Sequence, residues 1–372
     1  MNSRNSACEE QEFLCAVALN VLLPLANERT LQAAYYILRG RRANQTLQDV
    51  HLYSLYPYYR MFPRFTKEDW DKIVSTLFQE GYIQHVTREV PANKPTFLIT
   101  QRGKEYAQNE ALRYRLDVWL KPFTQSDLAE LLESFWQRLH LVVQTISQML
   151  AGDLGFLPVV SDKRTQKWVR AELSEKAART AWQTQLGDEL FHLLQPLPKE
   201  VAELIVAQLS GASQVGKTLG QIAKQRKEAP VYLNLLLRYG LAVSIQRLLQ
   251  ESEQFPLLSR LVEQNNKVDP RLTESAARTY ALIQQGLPKA EIAIKRGIKE
   301  STVEDHLVEM ALRCPEWDYS AYLSEEMGAL IIQTSEQLMT SRLRIIKDHL
   351  EASVSYLQIR LALARRQGEK VT

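Results

Sequence analysis

The sequence is short of the residues that build stapled, metal-bound or membrane-spanning proteins. Its 372 residues hold three cysteines, Cys8, Cys15 and Cys314, none of them in a C-x-x-C pair. That excludes a disulfide framework and points to a reducing compartment. The histidines (His51, His85, His140, His192, His306 and His349) are scattered with no two spaced four apart, so neither a metal site nor any cofactor is expected. The longest apolar run near the start, Ala16 to Ala26, is broken by Asn20 and Pro24. Glu9, Glu10 and Glu12 precede it, where a secretory signal carries positive charge. No other run is long enough to span a bilayer, and a cytoplasmic protein is expected. Neither sign of charge dominates: 46 Lys and Arg against 43 Asp and Glu leave +3. Any basic surface must therefore be local.

Catalytic constellations are equally scarce. No carboxylate pair, Ser/His/Asp group or Cys/His arrangement stands out, and a non-enzymatic protein is expected. One stretch argues otherwise. Gly211–Thr218, GASQVGKT, fits the phosphate-binding pattern G-x-x-x-x-G-K-[ST] letter for letter, which would make Lys217 the centre of an ATPase. That chemistry needs a strand leading into the loop. Pro198–Ser210 instead places Val201, Leu204, Ile205 and Leu209 at helical spacing, and no alternation of strands and helices surrounds it. The match is read as a chance one in a helix–helix turn, with Thr218 capping the helix that follows.

What is there is mostly helix. Glu9–Ala26 and Glu28–Gly40 carry helical spacing, and Gly40 is a C-cap candidate. Thr66–Gly81 opens on a Thr cap with acidic residues in its first turn and closes on glycine. The period then changes. Tyr82–Val90 alternates, Pro91–Pro95 turns and Thr96–Thr100 is β-branched and aromatic, which predicts a hairpin before helix returns at Gln101–Trp119. Helices, a hairpin and a further helix make a winged-helix pattern. Phe123 to about Asn266 reads as helical, interrupted at Leu154–Arg164, with Asp162 as a cap. Within it Lys163, Lys167 and Arg170 share one helix face near Trp168, read as a charged surface around a core tryptophan. Gln264–Arg271 reads as a linker. The tri-helical pattern of Leu272–Arg313 follows it, and two long helices, Ser324–Leu350 and Ser353–Arg366, close the chain. The fold class is thus mostly α, in three domains: a winged helix over residues 1–119, a helical domain over 120–266 and a helix-turn-helix domain over 267–372.

Two regions suit nucleic acid. Arg39, Arg41, Arg42, Arg60 and Arg64 gather in a stretch whose only acid is Asp49, and Lys67 opens a helix where phosphate would also meet the helix dipole. Arg88 and Lys94 lie on the hairpin, and Arg102 and Lys104 follow it. In the second region Ile292 and Ala293 pack one helix, Gly297 turns, and Val303 and Leu307 pack the next. Lys295, Arg296, Lys299, Ser301, Thr302 and His306 are its candidate contacts. Glu291, Glu300, Glu304, Asp305 and Glu309 offset the cations there, so this module suits either DNA reading or protein docking.

Leu38–Ile83, with its Leu-Arg-Gly, basic loop, His51, Glu68-Asp69-Trp70 and Gly81-Tyr82, resembles the winged-helix part of the RecQ C-terminal domain. Gly286–Leu307 and the closing Val354–Ala364 resemble the helix-turn-helix at the C-termini of many bacterial RecQ helicases. Neither helicase motifs nor zinc-binding cysteines accompany them. A stand-alone chain with these two ends resembles the YpbB-like helix-turn-helix family, often encoded beside a RecQ-type helicase. The resemblance implies a cytoplasmic, DNA-binding accessory protein. Its partners would be duplex DNA and a RecQ-type DNA helicase, and its role would lie in repair or recombination. A sequence-specific transcription regulator is the alternative.

Overall fold

The structure, a computed structural model, describes residues 2–85, 97–123, 126–153, 155–262, 272–314 and 316–366. The first part of the chain forms α1 (Asn2–Leu25), α2 (Leu31–Arg39), α3 (Asn44–Leu52) and α4 (Lys67–Gln79). Next come β1 (Ile83–His85), β2 (Phe97–Ile99), α5 (Gln101–Arg113) and α6 (Leu116–Trp119). The middle holds α7 (Ser126–Leu150), α8 (Lys163–Glu172), α9 (Lys176–Leu194), α10 (Lys199–Val206), α11 (Leu219–Arg226) and α12 (Pro230–Gln250). The last part is α13 (Glu274–Ile283), α14 (Lys289–Arg296), α15 (Glu300–Arg313), α16 (Glu325–Gln337), α17 (Leu343–Asp348) and α18 (Tyr356–Arg365). Among the described residues β1 and β2 are the sole strands, antiparallel with Ile83 opposite Ile99 and His85 opposite Phe97. The fold is mostly α with one hairpin, as the sequence implies.

The chain gathers into two units, each drawn from two stretches. One takes Met1–Asn20 and Glu105–Glu263; the other takes Val21–Lys104 and Gln264–Thr372. In the first unit α12 is the central helix, with Leu233, Leu235, Leu236, Leu241, Ile245 and Leu248 buried among α7, α9, α10 and α11. Asp162 caps α8 by accepting from the Thr165 amide at 2.7 Å. Trp168 is half-buried beneath the Arg138 guanidinium, 4.6 Å from the ring centroid, and so lies at the edge of the core and not wholly within it.

In the second unit the segment Val21–Lys104 and the C-terminal helices share contacts. Its α4 begins at a full capping box: Thr66 Oγ1 accepts from the Asp69 amide, and Asp69 Oδ2 accepts from the Thr66 amide. The helix α3, read from the sequence only as a basic loop and a His-containing segment, buries Thr46–Val50 and lies against α2, α15 and α18. No side chain caps it at Ala43, which removes the usual start signal. Leu52 packs on a core built from Leu307, Met310, Trp317, Ile331, Ile346, Ile359 and Leu363.

The long helix expected over Ser324–Leu350 is two helices, α16 and α17. The chain breaks at Met339, whose φ is 48°, and the Ser335 hydroxyl donates to the Thr340 carbonyl at 2.8 Å. Glu28 fixes the break: its Oε2 accepts from Thr340 Oγ1 at 3.0 Å and from the Ser341 amide at 3.1 Å. Arg342 donates back to the carbonyls of Glu28 and Asn27. Since these partners lie over 300 residues apart in sequence, the break is tertiary in origin.

Candidate nucleic-acid interface

The end of α2, which carries Arg39, and the segment that carries Arg60 lie side by side. The Arg60 amide donates to Ile37 O at 3.0 Å and the Phe62 amide to Leu38 O at 2.8 Å, laying residues 60–62 along the last turn of α2. Gly40 makes this approach possible. It caps α2 in the left-handed conformation at φ 75°, and a Cβ there would lie 2.5 Å from Arg60 Cβ. Arg39, Arg41, Arg42 and Arg64 are exposed and Arg60 is half-buried. Arg39 donates to the Tyr35 hydroxyl at 2.9 Å, and Arg41 lies 4.3 Å from the Tyr36 ring centroid, so both guanidinium planes are held in place by aromatic rings. Tyr35 also packs against Phe65 and Trp70, tying α2 to the start of α4, where Lys67 is exposed and bridges to Asp71.

Of the residues expected on and after the hairpin, Arg88 and Lys94 lie outside the described residues. Arg102 and Lys104 are exposed on α5, and Arg102 pairs with Glu80 at 3.1 Å, which offsets its charge locally.

The second region is a helix-turn-helix whose second helix is largely interior. Its first helix, α14, ends at Gly297 in the left-handed conformation, and α15 starts three residues later. Lys295, Lys299 and Ser301 are exposed and Thr302 is half-buried, all near the turn. Two of the expected contacts point inward. His306 is 6% exposed, and its Nδ1 lies 2.8 Å from Thr279 Oγ1. Arg296 donates to that same hydroxyl and to Ser275 O at 2.8 Å, bracing α14 against α13. The reason is periodicity: His306 adjoins the buried Leu307 and lies three residues from the buried Val303, on the core face of α15. Burial pushes the His306 imidazole down to about 4, and the neighbouring Arg296 adds to the effect.

Glu309, counted from sequence among the module's negative charges, is buried too and accepts from the Thr273 amide and hydroxyl at the start of α13. Lys289 holds Glu304 at 2.6 Å and Glu300 at 3.7 Å. Burial thus takes Glu309 out of the exposed balance, and Glu304 and Lys289 offset each other; sequence spacing gave no sign of either.

GASQVGKT lies in the loop between α10 and α11, with amides at both of its ends engaged. Gly211 N–H donates to Gln214 O at 2.8 Å and Lys217 N–H to Ala207 O at 2.8 Å. Ala212 N–H donates to Ser147 Oγ, Gly216 N–H to Ser210 Oγ and Thr218 N–H to Gln221 Oε1. The Lys217 ammonium donates to Gln225 at 3.0 Å. Five of the loop's amides and its lysine ammonium are therefore held by groups of the protein itself. Gly216 is there for room, since a Cβ would meet Gln208 O at 2.0 Å. Thr218 forms a capping box with Gln221, as its place in the sequence implies. Among the described residues no cluster of His, Cys, Asp and Glu could hold a metal ion, and no helix is long and apolar enough to cross a membrane.

Residues 275–363 match the family model of a helix-turn-helix domain. The chain is also 28% identical to Protein YpbB of Bacillus subtilis (strain 168) over 352 residues, covering 94% of this chain and 96% of that protein. No solved structure matches. The two matches agree with the resemblance read from the sequence: the chain is YpbB-like along nearly its whole length and carries a helix-turn-helix domain near its C-terminus.

Proposed function

We propose that this chain is a non-enzymatic, cytoplasmic DNA-binding protein that holds duplex DNA mainly through phosphate contacts and serves a RecQ-type helicase as an accessory in repair or recombination. The DNA reading is supported by the exposure of Arg39, Arg41, Arg42 and Arg64 between the end of α2 and the start of α4, with residues 60–62 laid along the last turn of α2. Guanidinium groups braced on tyrosine rings suit a repeating anionic backbone and carry little base information. The exposed start of α15, with Lys299 and Ser301, adds a second contact or docks the helicase. The helicase partner rests on the RecQ-like character of both ends of the sequence.

Fluorescence anisotropy with a short duplex tests the DNA reading. Binding should weaken steeply with salt, and Arg41→Glu with Arg42→Glu should weaken it on every sequence tried and flatten the salt slope by about 2. A wild-type chain that leaves duplex unshifted at low salt refutes it. Co-purification with a RecQ-type helicase after nuclease treatment tests the partner. The exposed Ser301 favours the second reading, a transcription regulator. In that case Ser301→Ala should relax discrimination at one base pair by roughly 1–3 kcal/mol.

A further inference from the structure

The helix-turn-helix of the second unit has a counterpart in the first, 70 residues earlier in the chain. Both α11 and α14 have eight residues, and each ends on a left-handed residue, Lys227 at φ 58° and Gly297 at φ 62°. The turn bond is the same: Glu228 N–H donates to Ala223 O at 3.1 Å, as Ile298 N–H donates to Ala293 O at 3.0 Å. The buried pair Ile222 and Ala223 matches Ile292 and Ala293, and Leu233 at the first inward position of α12 matches Val303 on α15. From Leu219 to Glu228 the order of buried, half-buried and exposed positions repeats that of Lys289 to Ile298 residue for residue. A third helix completes each set. Arg226 donates to Glu200 O on α10 at 3.1 Å, as Arg296 donates to Ser275 O on α13.

The two copies differ in charge. Leu287–Asp305 carries four cations and four carboxylates, whereas Lys217–Leu235 carries Lys217, Lys224, Arg226 and Lys227 against Glu228 alone. The positions of Glu291, Glu300, Glu304 and Asp305 are taken by Gln221, Pro230, Asn234 and Leu235. Lys224 and Lys227 are exposed, and Glu228 is half-buried. On the neighbouring α10, Glu203 lies 3.8 Å from Lys199 and 4.0 Å from Arg226. Lys227 also occupies the left-handed position that glycine holds in the other copy, where a side chain is disfavoured. A cation at a strained turn suits a site selected for charge, not for ease of folding.

We infer that α10–α12 is a second helix-turn-helix and that Lys224 and Lys227 at its turn contact the phosphate backbone of duplex DNA. This rests on the proposed DNA-binding function and adds a contact in the first unit. The test uses the full chain and a short duplex of arbitrary sequence, with affinity measured across a salt titration. Lys224→Glu with Lys227→Glu should flatten the salt slope by about 2 and weaken binding, one counterion-releasing contact being lost per lysine. The charge-matched pair Lys121→Glu with Lys176→Glu, exposed in the same unit, should change binding much less. Lys227→Gly should raise the melting temperature yet weaken binding, an opposition that a merely structural turn would not produce.

An unchanged affinity and salt slope in the Lys224/Lys227 pair, or an equal loss in the control pair, overturns the inference. Should wild-type chain bind duplex and Arg41→Glu with Arg42→Glu impair it while the Lys224/Lys227 pair does not, this inference alone falls. Should wild-type chain fail to bind at all, the proposed function falls with it.

Discussion

His306 shows how a side chain suited to nucleic acid by type is claimed by the interior. Arg296 donates to the Thr279 hydroxyl, which is left to donate to Nδ1 of the imidazole, so the ring is held as a neutral acceptor. An unfolded histidine titrates near 6.5, and this one titrates at about 4 when folded. Between those values the unfolded chain binds the proton and the folded chain does not. Stability is therefore full above about pH 6.5 and is lost as pH falls toward 4. Burial shifts His51 and His140 down to about 4 as well, adding loss of the same sign. Melting temperature should fall between pH 7 and pH 5, and more gently in His306→Gln, whose amide oxygen can still accept from Thr279. An identical slope in that variant would exclude the hydrogen-bonded chain as a cause. Gly40 carries the other residue-scale prediction. Gly40→Ala meets both a positive φ and the Arg60 side chain, so urea unfolding should show a loss of more than about 1 kcal/mol.

Helices whose ends are written locally were legible in the sequence. Thr66 with Asp69, Asp162 with Thr165 and the left-handed Gly40 are signals carried by adjacent residues, and α4, α8 and α2 begin or end where those signals stand. What escaped was set from a distance. The break between α16 and α17 is held by Glu28, and α3 starts without a side-chain cap because its burial against α2, α15 and α18 stabilises it instead. The candidate site divides in the same way. Composition gave the arginine run, but the joining of Arg60 to the end of α2 required the backbone bond to Ile37. Elements also decide the fate of GASQVGKT. Gly216→Ala should destabilise markedly, because its Cβ has no room against the Gln208 carbonyl, whereas Lys217→Ala should cost within about 0.5 kcal/mol. Saturable ATP turnover lost in Lys217→Ala would contradict both the geometry and the assignment. Thr66→Ala should cost about 1 kcal/mol by denaturant titration, the worth of a lost N-cap.

At the scale of the molecule, the segment Val21–Lys104 is not closed by its own neighbours in sequence. Residues 21–104 complete their packing with residues 264–372, through α3 against α15 and α18 and through Glu28 with Thr340, Ser341 and Arg342. A chain truncated after residue 263 should therefore lose protease protection across 21–104 while the first unit keeps its own. Equal protection in the truncated and full chains would show the segment to be self-sufficient. The same division sets an order of events on the ribosome. Every residue of the first unit has been made by Glu263, but the end of α2 must wait for another hundred residues before its supporting helices exist. At roughly 5–20 residues per second that interval lasts several seconds or more, during which nascent residues 21–104 lack the helices that complete their packing. The end of α2 then takes its final setting late, with the last helices, whereas the first unit can close as soon as Glu263 is made.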